Sequence, residues 1–276
     1  MAVDAPWDFP NPATPPGSST YYSIRFAPAG LRDDLAAVTA WRDQVRGVLT
    51  EVSDPGVARA KLQWWRDELL RTQVGEPRHP LSQALAPVMV RHRLPAQGFL
   101  DMADQVQADL DGDQPADSAA LEGACERDLG ALFELLARCE GQETPLHLAS
   151  ARALGGFCAQ VYLIRDSGLL RRRGRAFLPA DRLVAAGLSA DTLVLPEAAD
   201  RLPGLLAGAA TAALVWRDRR VGEARLPVAL RVRGRILNAL LEALESEGFD
   251  LAQRRVGLTP LRKLWLAWRE ARRSGG

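Results

Sequence analysis

The chain has 276 residues, 47% of them hydrophobic and 25% charged, which is ordinary globular composition and excludes a disordered or fibrous protein. Thirty-five basic against 34 acidic residues leave a formal net charge of +1, so no overall positive field exists to draw nucleic acid, and no nucleic-acid partner is expected. Three separated cysteines, Cys125, Cys139 and Cys158, with three histidines, give neither a disulfide framework nor a zinc-ligand spacing, which fits a reducing, cytoplasmic setting.

In chain order, residues 1–18 hold five prolines and no apolar periodicity, and read as a flexible, extended tail ahead of one domain over 19–276. The sequence shows neither a secretory signal nor an apolar run of membrane-spanning length. Alanine, leucine, arginine and glutamate dominate while isoleucine occurs three times, a mixture suited to helices and poor for pleated strands. Apolar residues recur at helical spacing, as in Leu31, Leu35, Val38, Val45 and Leu49. Helices are predicted over 30–50, 55–73, 80–92, 95–110, 117–140, 145–170, 197–221, 226–247 and 258–272, several with a proline near the start, where a missing amide proton costs little. Residues 171–196, interrupted by glycine and proline, read as a loop with short helical turns. The fold class expected is all-α, a single helical bundle.

Asp109, Asp111 and Asp113 alternate as in a calcium loop, but the positions that require glycine and glutamate hold Gln114 and Ala120, so the segment reads as a solvated helix end. No G-x-S-x-G elbow is present. Gly155-Gly156 falls inside a predicted helix and reads as a site of close helix packing.

Three segments carry more information: YYSIRFAPAGLRDDLAAVTAW at 21–41, EVSDPGVARAKLQWWRDEL at 51–69 and LGGFCAQVYLIRDSGLLRRRGRAFLPADRL at 154–183. In this order and spacing, with His79-Pro80 between them, they resemble the squalene/phytoene synthase family of head-to-head prenyl transferases. The resemblance implies the isoprenoid synthase fold around a central cavity. In active members two aspartate-rich motifs on facing helices hold magnesium ions that bridge the substrate diphosphate. Counted from the flanking motifs, the first pattern, DD-x-x-D, falls here on Arg46, Gly47 and Thr50, and the second on Asp166 and Leu170. Asp43 stands near Arg46 but outside the register, and reads as a surface residue paired with an arginine or water.

A fixed cation where a metal ligand belongs repels the metal. The reading is therefore a degenerate member acting as a lipid- or prenyl-binding or assembly protein, similar to the mitochondrial complex I assembly factor of the same family, with no cofactor. The alternative is an active prenyl transferase with an atypical magnesium site. Arg46 and Asp166 are expected to pair across the former metal site. Arg165, Arg171 and Arg175 are candidates for gripping a diphosphate, and Trp64, Trp65, Tyr162 and Phe177 for walling the cavity; of the two adjacent tryptophans one is expected to face inward and the other to pack against a neighbour, with a core role the favoured expectation for each. An isoprenoid or lipid in the cavity and a protein partner are both compatible with this reading. The last helix sets Leu261, Leu264, Trp265 and Trp268 on one stripe with arginines beside it. It either closes the bundle core, the favoured expectation, or lies on an anionic membrane as a peripheral contact.

Overall fold

The computed structural model describes residues 6–175, 177–193, 195–221, 225–251 and 256–273. In chain order the helices are α1 (Ser19–Arg25), α2 (Arg32–Glu51), α3 (Pro55–Gln73), α4 (Pro80–Arg91), α5 (Ala96–Asp111), α6 (Ser118–Cys125), α7 (Ala131–Cys139), α8 (Pro145–Arg172), α9 (Ala180–Ala185), α10 (Ala190–Leu193), α11 (Leu202–Val221), α12 (Val228–Ser246) and α13 (Pro260–Arg272). Among the described residues there is no strand. Proline opens α3, α4, α8 and α13, and in each the preceding side chain caps the free amides: Asp54, His79, Thr144 and Thr259 accept from the backbone N–H of Val57, Leu81, His147 and Arg262.

Two predicted elements come out differently. The helix expected over 117–140 is broken by a π turn, Glu126–Gly130, between α6 and α7, the kind of local widening that re-aims side chains within a helix. Residues 6–18 are no flexible tail but a packed strap. Asn11 and Thr14 are buried, the Asn11 side-chain amide donates to Ala36 O at 3.3 Å and Trp7 O at 2.9 Å, and Phe9 stacks on Tyr21 at 5.2 Å. Lys263 Nζ donates to Gly17 O. Such a strap is held by side-chain-to-backbone hydrogen bonds and single aromatics, which leave no periodicity to read. The expected loop at 171–196 does carry two short helices, α9 and α10.

The core has two centres. Between α2, α3 and α5, Trp41 meets Phe99 and Trp65 edge-on at 5.1 and 6.4 Å. Around α8, which is buried on nearly every side from Ser150 to Val161, small residues let neighbours come close. A Cβ on Gly155 would lie 2.3 Å from Leu129 O, and one on Gly156 would lie 2.6 Å from the Trp216 ring. The glycine pair therefore seats α8 on the π turn and on α11, as its sequence suggested. No described helix is long and apolar enough to cross a membrane.

Candidate functional site

The C-terminal half of α2, the last turns of α5 and the π turn converge on a cluster of charges. Arg42 grips Asp128 with both ends of its guanidinium, Nε donating to Oδ1 at 2.8 Å and Nη2 to Oδ2 at 2.7 Å. Arg46, one turn later on the same face, donates to Asp128 Oδ2 at 3.1 Å and to Asp109 Oδ2 at 3.2 Å. Gln105 adds a hydrogen bond to the other Asp109 oxygen and accepts one from Arg127. Burial by itself would push the Asp128 carboxyl up and the Arg46 guanidinium down. Their mutual attraction, with Arg42 and Asp109, reverses both directions, so Asp128 is held below the usual carboxylate range and Arg46 above the usual arginine value. Both stay charged, and α2 is tied to α5 and the π turn.

The expected pairing of Arg46 with Asp166 is thus replaced by one with Asp109 and Asp128. The π turn accounts for it, because it brings a carboxylate to α2 that a continuous helix would aim elsewhere. Asp166, on α8, is instead bonded by its neighbour Arg165, Nε to Oδ1 at 2.9 Å. Thr50 is exposed with its hydroxyl donating to Gly47 O, and Leu170 is packed against the core. Asp43 is exposed on α2; burial pushes its carboxyl up, Arg42 beside it pulls the other way, and Glu51 adds to the rise. Among the described residues no three His, Cys, Asp or Glu side chains converge as metal ligands.

Two arginines at and just beyond the end of α8 bond to backbone carbonyls. Arg171 donates to Leu193 O at 2.7 Å and Leu195 O at 2.6 Å, which pins the loop, and Arg175 reaches back to Leu49 O at the end of α2. Arg165 lies over the Tyr162 ring at 4.5 Å, with Arg233 on the same ring at 5.7 Å. Phe177 is buried and lines, with Leu121, Gln160, Ile164 and Leu206, an enclosed pocket of only about 10 Å³, room for roughly one water molecule. A larger space, about 710 Å³, is a solvent-open groove between α6, α9 and α11.

The tryptophan pair sits in a second, separate constellation. Trp65 is 2% exposed and Trp64 40%, so one points inward into packed core, as expected, while Trp64 stays exposed rather than taking the core role expected of it too. The His79 ring lies 4.9 Å from Trp65, 5.9 Å from Trp64 and 6.1 Å from Trp7. Burial lowers its pKa, so the ring is neutral near pH 7 and Nδ1 accepts from Leu81 N–H. Beneath it, fully buried Glu68 accepts from the backbone N–H of Arg78 and His79, both at 2.7 Å, and from Arg71 at 2.9 Å. Burial pushes the Glu68 carboxyl up, but these donors outweigh it and hold it below the ordinary value. All three cysteines are free and buried, and burial raises the Cys158 thiol to about 12, so none is a reactive thiolate.

Sequence reasoning missed Arg42, Asp109 and Asp128. Asp109 was visible in the run of alternating aspartates but read as solvated, and nothing local marks Asp128 as the partner of residues 82 and 86 positions earlier.

The bundle is that of the isoprenoid synthases. It superposes on a dehydrosqualene synthase solved in complex with ligand with a TM-score of 0.71 at 19% identity, covering 93% of this chain and 92% of that one. Against squalene synthase HpnC from Alicyclobacillus acidocaldarius the TM-score is 0.70 at 20% identity, over 83% and 88% of the two chains. In sequence the chain is 28% identical over 269 residues to a phytoene synthase of Rhodobacter capsulatus, covering 91% of this chain and 76% of the relative. Residues 13–262 match the family model of squalene/phytoene synthase. The chain belongs to the squalene/phytoene synthase family.

Proposed function

We propose that this chain keeps the scaffold of its family without the metal-dependent chemistry, and works as an assembly or lipid-binding protein. The observation that carries this reading is Arg46, a permanently charged side chain at a position where the family resemblance puts a metal ligand, held there by Asp109 and Asp128. Magnesium needs several hard oxygen ligands in near-octahedral array. The matching positions offer one carboxylate, Asp166, already bonded by Arg165, together with an outward-facing threonine and a leucine. The residues present do not fit the ion, and no ionisation of a diphosphate follows from them.

Relatives named as phytoene synthases favour a second reading, an active prenyl transferase with an atypical magnesium site. Incubating the purified chain with farnesyl or geranylgeranyl diphosphate and magnesium separates the two. The first reading expects neither released diphosphate nor a condensed hydrocarbon product. Turnover would overturn it in favour of the second.

A further inference from the structure

We propose that the outward face of α13 is a docking surface for an anionic lipid bilayer. The helix packs on α12 and α1 through Leu266 and Ala267. Its larger apolar side chains point the other way: Leu261, Leu264, Trp265 and Trp268 are 77%, 41%, 50% and 43% exposed. A helix that only closed a core would bury its tryptophans and expose its arginines. Here tryptophans and arginines share the solvent side. The Arg272 guanidinium lies over the Trp268 ring at 4.1 Å and that of Arg269 over Trp265 at 5.2 Å, with Arg262 also exposed. The one acidic residue of the helix, Glu270, is turned inward and paired with Arg231 and Arg273.

This chemistry matches the headgroup layer of an anionic membrane. Tryptophan concentrates at that depth, an amphipathic helix lying flat sinks its apolar side to the acyl boundary, and arginines above it meet lipid phosphates. Charge also selects the occupant. A second copy presenting the same face would bring like charges together, whereas a bilayer containing phosphatidylglycerol supplies the opposite sign along the whole helix. The assignment holds whether or not the chain turns over prenyl diphosphates.

Co-sedimentation of the full chain with vesicles of phosphatidylcholine, alone or with about 30 mol% phosphatidylglycerol, tests it, and the anionic vesicles should bind at least about ten-fold more tightly. The paired changes Trp265→Ser with Trp268→Ser, and Arg269→Glu with Arg272→Glu, should each weaken that binding by about ten-fold or more, and salt should weaken it too. These side chains are exposed, and circular dichroism melting confirms that each variant folds. Charge reversal outside α13, at Arg78 and Arg219, should leave binding within about two-fold. Equal binding to both vesicle types, no binding to either, or variants that bind as the parent would overturn the proposal. So would a dimer in sedimentation velocity that the tryptophan changes dissolve, because the face would then belong to a second copy.

Discussion

One part of the molecule carries residues by which the sequence resembles its family and another carries positions at which it departs from it, and the two differ in what holds their helices together. Around Glu68 and His79, the tryptophan pair, the glutamate and the His-Pro step lock α3 to the start of α4 through hydrogen bonds to backbone amides and through ring packing. Around Arg46, the positions at which the family resemblance puts metal ligands carry Arg46, Gly47 and Thr50, with Asp166 and Leu170 on α8, and ion pairs join α2 to α5 and the π turn. The first set of residues is needed for the scaffold whatever the protein does. On the proposed reading the second serves only chemistry, so it can be replaced without loss of fold, provided every buried charge finds a partner.

If that contrast is right, the ion-pair cluster is now structural, and breaking it should be costly. Asp128→Asn leaves Arg42 and Arg46 facing a neutral amide and should destabilise by about 3 kcal/mol in chemical denaturation. Gly155→Ala drives a methyl group into the backbone of the π turn that presents Asp128, for about 2–3 kcal/mol. Glu68→Gln tests the other side of the comparison, and should cost about 2 kcal/mol through weakened bonds to its backbone donors.

The Glu68 contribution also has a pH signature. The folded-state pKa lies below the ordinary 4.5, so the unfolded chain protonates first; the stability is complete above pH 4.5 and is lost as pH falls from there through the folded value. His79, lowered from 6.5, adds a loss beginning below pH 6.5, because the unfolded imidazole takes up its proton first. Glu68→Gln should remove the lower of these two steps from a stability–pH curve and deepen the upper, because the Glu68 charge that raises the His79 pKa against burial is gone.

Arg46→Met has the smallest expected effect, about 1 kcal/mol, since Arg42 still holds Asp128 in two bonds. In a double-mutant cycle it should couple to Asp109→Asn by about 0.5–1 kcal/mol and not to Asp166→Asn.

Helix positions were legible because proline at the first turn and apolar spacing are local signals: α3 spans Pro55–Gln73, the limits its sequence predicts. The π turn was not, since Glu126–Gly130 contains no residue that forbids an ordinary helix and its geometry comes from packing of Gly130 and Gly155 across two elements. The same holds for the site. That Arg46 cannot be a metal ligand is plain from its side chain, but its partners lie 63 and 82 residues away. For α13 the amphipathic stripe could be read and its direction could not, because a core and a membrane ask for the same pattern.

Magnesium titration by calorimetry, with and without inorganic diphosphate, tests most directly whether the metal site is gone. The account predicts no micromolar binding in either case and no change on Asp166→Ala. Micromolar binding that Asp166→Ala abolishes would show that the carboxylate still organises a metal, and would contradict the reading of this chain as a scaffold.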